Sequence, residues 1–243
     1  MIRPLLIIGV GGSGGKTIRA MKQELIRILE SSGYSGEIPD AWQFLHIDTI
    51  RDGESFPAPM LANEEIHCVV PPGAKYVDIL RSITARCSQQ EQQSLLAGWG
   101  FPAPDIWDVE NDPVILAGKA RFEFSKRAPN RLLLLTDSAK TLKRLQNSIS
   151  KMQSPTALSE LATVARYLGA RILAPSGPEV LIFSSLGGAA GSGMFFDIAE
   201  LLKRSTSQSW VHNSTSFLYT PEVFEGIGIA SVSGIAKKHI RSI

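Results

Sequence analysis

The sequence has little cysteine, no long hydrophobic run and almost no excess of either charge. Its two cysteines, Cys68 and Cys87, are too few for a disulfide framework. No apolar stretch approaches the roughly 20 residues of a membrane-spanning helix, and no signal-peptide pattern precedes the first apolar run. We therefore expect a cytoplasmic protein without a membrane span.

The low net charge and the scattered histidines argue against two further classes of protein. A formal net charge of +2 is too small to indicate binding to nucleic acid or to an anionic membrane. The 4 histidines lack the spacing of metal ligands, so a zinc site is not expected.

The overall composition is that of an ordinary globular protein, with 44% hydrophobic and 20% charged residues in a chain of 243. A chain of this length can bury a full core. We expect one domain over residues 1–243, interrupted by an irregular insertion at about 75–115. The later part of this insertion is rich in proline, glycine and aromatic residues.

Glycine is concentrated in two segments, and the longer one is residues 187–193, called here the second glycine segment. It follows a short apolar run typical of a buried parallel strand and precedes apolar residues at helical spacing. Small residues let backbone N–H groups approach an anion, and a helix N-terminus adds unpaired donors, so the pattern favours phosphate binding over a turn that only needs small residues to pack. The candidate residues are Gly187, Gly188, Ala189, Ala190, Gly191, Ser192 and Gly193.

The first glycine segment, residues 11–15, has the same setting. An apolar strand over residues 4–10 precedes it. A helix with one apolar face and one basic face follows it. Gly9, Gly11 and Gly14 satisfy the dinucleotide fingerprint G-x-G-x-x-G, whereas a P-loop would need glycine where Val10 stands. The candidate phosphate-binding residues here are Gly11, Gly12, Ser13 and Gly14.

Polar residues follow two other predicted strands at the edge where ligands bind in open α/β sheets. Asp48 and Thr49 come after an apolar run at residues 42–47, and Glu225 follows a strand predicted at residues 216–220. Asp48 is equally consistent with a simple turn cap. Glu225 is able to accept hydrogen bonds from a sugar, although a plain surface glutamate is its default interpretation.

Basic residues near Gly118 leave two interpretations open. Residues 117–121, followed by Lys126 and Arg127, either form a third segment near a ligand or lie on a solvated face. The strand–loop–helix units on both sides of this region predict an α/β fold. We expect a Rossmann-like, mostly parallel sheet with helices on both faces.

The order of these motifs resembles the tubulin superfamily, most closely its bacterial tubulin-like and cell-division GTPase branch. Residues 187–193 resemble the signature G-G-G-T-G-S/T-G, with Ala189 and Ala190 replacing a glycine and a threonine. Residues 9–14 are similar to the family's first nucleotide loop and residues 46–49 to its second. Gly118 lies in a weaker match to the third, and residues 220–226 are similar to the loop whose glutamate, here Glu225, contacts ribose.

The resemblance implies binding of GTP or GDP with Mg²⁺, and self-association or a protein partner, as in cytoskeletal filaments. Ala190 lacks the hydroxyl that helps to hold the phosphates. The family's long central helix and its acidic loop, which completes the active site of a neighbouring subunit, have no counterpart in the sequence. GTP hydrolysis is therefore expected only if a second subunit or a missing segment supplies the acid, and no catalytic residue is assigned.

Two alternatives to a GTP-binding protein stay open. A non-catalytic assembly module of tubulin fold would explain Ala189, Ala190 and the missing acidic loop. A NAD-binding Rossmann oxidoreductase would explain the first glycine segment but not the second. In addition, Asp48 lies further beyond Gly14 than the usual spacing of about 20 residues in the dinucleotide fingerprint.

Overall fold

A computed structural model of the protein describes residues 1–49, 61–70, 127–172, 178–205 and 214–225, with a few positions between 81 and 91. Almost all of the insertion predicted at about 75–115 lies outside the described residues, as do Gly118 and Lys126.

Five strands and five α-helices make up the described fold. The strands are β1 (Leu5–Val10), β2 (Trp42–Asp48), β3 (Ile66–Cys68), β4 (Glu179–Ser185) and β5 (Ser214–Tyr219). The helices are α1 (Gly11–Ser31), α2 (Arg127–Met152), α3 (Pro155–Tyr167), α4 (Ala189–Ser205) and the short α5 (Glu222–Glu225), and a 3₁₀ turn (Asn63–Glu65) precedes β3.

The strands form one parallel sheet in the order β3-β2-β1-β4-β5. Gly9 of the central strand β1 pairs with His46 of β2 on one side and with Phe183 of β4 on the other. The fold class predicted from the sequence is therefore confirmed.

Alternating side chains of the strands feed two separate cores, one on each face of the sheet. Leu6, Ile8 and Val10 of β1 pack in a cluster with apolar residues of α2 and α4. Ile7 points to the opposite face, where it clusters with Ile18 of α1. Because a buried parallel sheet needs cover on both sides, these two layers place helices on both faces, as expected.

Two helix starts illustrate how local sequence sets the elements. Ser154 is the N-cap of α3, and its hydroxyl accepts a hydrogen bond from the Ala157 N–H at 3.1 Å, with Pro155 in the first position. Both glycine segments differ from the predicted loops. α1 begins directly at Gly11 and α4 at Ala189, so most of each segment is the first turns of a helix.

A buried polar cluster joins the edge strand β3 to α2. The Nε2 atom of His67 lies 2.6 Å from Asp137 Oδ2 and 3.0 Å from Thr141 Oγ1. All three side chains are buried. The cluster holds a strand of only three residues against the long helix.

None of the described helices is both long and apolar enough to span a bilayer.

Candidate functional site

The N-termini of two helices meet at the carboxyl edge of the sheet. β1 leads into α1 and its neighbour β4 leads into α4, so both glycine segments lie at the same end of adjacent strands. From β1 the strand order runs outward to β2 and β3. The chain then returns to β4, which lies on the other side of β1. This reversal of strand order is the position where open α/β sheets bind their ligands.

The two helix starts are in direct backbone contact. Gly11 has a φ of 69°, in the left-handed region that favours glycine. A Cβ atom added to Gly11 would lie 2.7 Å from the backbone nitrogen of Gly191 and 3.3 Å from the Cβ of Ala190. Any larger side chain at Gly11 would push the two helix N-termini apart.

Other glycines of the site divide into packed and open positions. A Cβ on Gly191 would meet Ser184 Oγ at 2.8 Å and the Ser185 carbonyl oxygen at 2.9 Å. By contrast, a Cβ on Gly12 would meet no atom within 4 Å, and one on Gly188 would only reach Ser185 at 4.0 Å. The backbone at Gly12 and Gly188 therefore faces open space.

The electrostatics of the two helix starts favour an anion. The first turns of α1 and α4 contain no acidic residue, and each helix N-terminus has unpaired N–H groups with a partial positive charge. Within the second glycine segment, the Gly187 N–H donates to Ser185 Oγ at 3.1 Å. The Ser192 hydroxyl donates to the Gly188 carbonyl, so its own proton is already used.

Asp48 and Thr49 lie beside the first glycine segment, at the end of β2. The Thr49 N–H donates to Asp48 Oδ1 at 2.7 Å, so the carboxylate caps the chain reversal after the strand. His46 connects this carboxylate to α1. Its Nε2 atom is 3.5 Å from Asp48 Oδ2 and 3.2 Å from the Gly11 carbonyl oxygen.

A buried arginine, Arg19, lies about two turns from the start of α1. The Nη1 atom of Arg19 donates to the Gly15 carbonyl oxygen at 2.8 Å. Burial lowers the pKa of the Arg19 guanidinium from its ordinary value, while the charges of Asp48 and Glu65 oppose this shift. An arginine remains protonated in proteins, so it adds positive charge near the start of α1.

The sequence of the chain matches one known protein family. The sequence model of a family described as tubulin like matches residues 6–237. The chain belongs to the tubulin-like family. No curated protein and no solved structure matches the chain.

In this tubulin-like chain, the structure brings most of the sequence-predicted site residues to one edge. Both glycine segments, Asp48 and Thr49 lie at the carboxyl ends of β1, β4 and β2. Glu225 is the last residue of α5, which follows β5. Gly118 lies outside the described residues. No group of three or more metal-ligating side chains occurs in the described part of the chain.

Tyr219, which the sequence pattern did not single out, also belongs to this edge of the tubulin-like fold. The Tyr219 hydroxyl, at the end of β5, lies 2.8 Å from Thr17 Oγ1 in α1. The Tyr219 carbonyl oxygen accepts from the Leu186 N–H at 2.8 Å. Tyr219 therefore links both helix starts to the segment that leads to Glu225, and its place at a strand end was the only signal available in the sequence.

Arg127 lies at the same edge of the tubulin-like fold. The sequence alone leaves open whether this residue lies near a ligand or on a solvated face. Its Nη2 atom donates to the Leu186 carbonyl oxygen at 3.1 Å, directly before the second glycine segment. Its side chain is half-buried, and burial lowers the pKa of its guanidinium.

Proposed function

We propose that the protein binds GTP or GDP, with the phosphates at the N-terminal turns of α1 and α4. The observation that supports this most directly is the meeting of two acid-free helix N-termini at the point where the strand order reverses. Membership of the tubulin-like family supports guanine nucleotide rather than another anion.

The open backbone positions are the proposed contacts with phosphate. A Cβ on Gly12 would have no neighbour within 4 Å, and one on Gly188 would only reach Ser185 at 4.0 Å. Phosphate oxygens would accept from the N–H groups of Gly12 and Ser13 in α1, and of Ala189 and Ala190 in α4. Gly11, Gly14, Gly191 and Gly193 would act through packing, because each lies against backbone atoms of a neighbouring element.

The remaining predicted residues are proposed to surround the sugar and the metal. Glu225 would accept hydrogen bonds from ribose, and Gly118 would border the phosphates. Asp48 and Thr49 would lie beside them at the end of β2. Mg²⁺ would be shared with the phosphate oxygens and water, because this ion is usually bound by few carboxylates together with substrate phosphates.

Hydrolysis is proposed to depend on a second molecule. Hydrolysis needs a group positioned to orient a water against the terminal phosphate, and the first turns of α1 and α4 contain no acidic side chain for this role. Such an acid would come from a neighbouring subunit in an assembly or from another segment. An isolated protomer would then bind GTP but hydrolyse it very slowly.

A pair of substitutions at Gly12 tests nucleotide binding without disturbing packing. Gly12→Asp places a carboxylate at the α1 N-terminus, where it would stabilise the helix but repel phosphate. Gly12→Asn has nearly the same size and no charge. We expect Gly12→Asp to lose GTP binding in calorimetric titration while Gly12→Asn retains most of it and both remain folded.

The same titration with GDP, ATP and NAD separates the proposed function from the alternatives. Preference for guanine nucleotides supports the proposal, whereas preference for NAD would support an oxidoreductase. Equal affinity of Gly12→Asp and the unchanged protein for GTP would contradict phosphate binding at this site.

An assembly module that binds no nucleotide is a second candidate function. It is favoured by the packing of Gly11, Gly14, Gly191 and Gly193, because close contact between elements already explains these glycines. This candidate predicts self-association, seen by light scattering, that is independent of GTP. The proposed function instead predicts association that changes when GTP is added.

A further inference from the structure

Arg127 is the first residue of α2, and its guanidinium lies at the end of β4. The Nη2 atom donates to the Leu186 carbonyl oxygen at 3.1 Å. Leu186 immediately precedes the second glycine segment. The cation therefore lies beside the chain segment that leads into α4.

The backbone around Arg127 is fixed against α4. A Cβ on Gly193 would lie 2.5 Å from the Arg127 carbonyl oxygen, so the two helices touch at this point. One turn further along α2, Arg131 Nε and Nη2 lie 2.7 and 3.1 Å from the two carboxylate oxygens of Asp197 in α4. This bidentate pair keeps Arg127 in register with the start of α4.

The bonding of Arg127 differs from that of the paired cations in the same layer. Arg131 pairs with Asp197, and Lys151 pairs with Asp40 at 2.8 Å. Among the residues that the structure describes, no carboxylate lies within ion-pair distance of Arg127. A guanidinium has five N–H donors, and the carbonyl of Leu186 accepts from one nitrogen only. The planar group can therefore still bind an oxyanion at two points.

We propose that Arg127 binds a phosphate group of the nucleotide from the α4 side of the site, an inference that rests on the proposed function. The second glycine segment has alanine at positions 189 and 190, so it offers no side-chain hydrogen-bond donor there. The side chain of Arg127 supplies charge and hydrogen-bond donors that neither Ala189 nor Ala190 provides. The guanidinium, held by the Leu186 carbonyl, would meet the phosphate with little loss of side-chain freedom.

The test compares GTP, GDP and guanosine binding to Arg127→Ala and Arg127→Lys. Hydrogen bonds to charged groups contribute about 1.5–3 kcal/mol, so Arg127→Ala should weaken GTP binding about 10- to 100-fold. Arg127→Lys should retain part of the affinity, because it keeps the charge but not the fork. Guanosine, measured by competition with a fluorescent GTP analogue, should bind both variants as it binds the unchanged protein.

Arg144→Ala is the matched control. Arg144 lies on the same helix, and its Nη1 atom also contacts a carbonyl oxygen, that of Glu64 at 3.5 Å. The helical rise places it about 25 Å along the axis from Arg127. This variant should bind GTP with unchanged affinity.

Three results would overturn the inference, and they differ in what they say of the proposed function. If the unchanged protein binds no nucleotide, both fail. If it binds GTP and Arg127→Ala binds GTP equally well, only the role of Arg127 fails. If Arg127→Ala weakens GTP and guanosine to the same degree, Arg127 is structural and does not bind phosphate.

Discussion

The Nε2 atom of His46 lies 3.2 Å from the carbonyl oxygen of Gly11. This contact joins the C-terminal end of β2 to the first turn of α1. The second neighbour of the same nitrogen is Asp48 Oδ2 at 3.5 Å. The Gly11 carbonyl oxygen can only accept, so Nε2 is the donor in this hydrogen bond. His46 therefore connects two of the predicted nucleotide-binding segments through one buried ring.

Replacing His46 by leucine should destabilise the fold. The change leaves the buried Gly11 carbonyl without this donor, which costs about 1–3 kcal/mol. Urea unfolding measures the loss. Gln43→Leu on the same strand is the control, since Gln43 is only partly buried and its amide donates to the Asp40 carbonyl at 2.8 Å. Equal stability of the two variants would contradict a special role for His46.

Alanine at Gly191 and at Gly12 should have opposite effects on stability. At Gly191 the added methyl would meet Ser184 Oγ at 2.8 Å and the Ser185 carbonyl at 2.9 Å, and overpacking of this kind costs about 1–3 kcal/mol. At Gly12 the methyl meets nothing within 4 Å and alanine is the better helix former, by about 0.5–1 kcal/mol. Thermal unfolding of both variants tests the pair. A stable Gly191→Ala protein would show that the helix starts are less tightly packed.

The strands and helices were predictable because each has a local cause. Uninterrupted apolar runs mark β1 and β4, and Ser154 with Pro155 marks the start of α3. The glycine segments were expected to be loops, yet the helices begin inside them, since a helix N-terminus and a loop need the same small residues where elements touch.

The arrangement of the site was only partly predictable. Local patterns place both glycine segments after strands, but the adjacency of β1 and β4 depends on strand order, which arises from packing of the whole chain. The contact of His46 with Gly11 and that of Arg127 with Leu186 join residues far apart in sequence. For that reason the sequence alone does not distinguish a ligand contact from a solvated face for Arg127.

Removing Asp137 should loosen the attachment of β3 to α2. Asp137→Ala leaves the His67 ring and the Thr141 hydroxyl without their buried acceptor, and we expect a loss of about 1–3 kcal/mol in urea unfolding. Lys140→Ala is the control, because Lys140 is 75% exposed and lies 3.7 Å from the other oxygen of Asp137. Because the Lys140 ammonium lies mostly in solvent, we expect its contact with Asp137 to contribute no more than an exposed ion pair, about 0–1 kcal/mol. A small effect of Asp137→Ala, equal to that of the control, would mean that β3 is held by its apolar neighbours.

If the protein binds GTP as proposed, its hydrolysis rate per molecule should rise with protein concentration. The first turns of α1 and α4 provide N–H donors but no acid, and a positioned general acid or base typically contributes about 10²–10⁴-fold in rate. Phosphate release, measured together with light scattering over a wide range of concentrations, should therefore increase steeply where association begins. Gly12→Asp should release no phosphate at any concentration. A constant rate per molecule across this range would show that a single chain contains a complete catalytic site, because association would then add nothing to the chemistry.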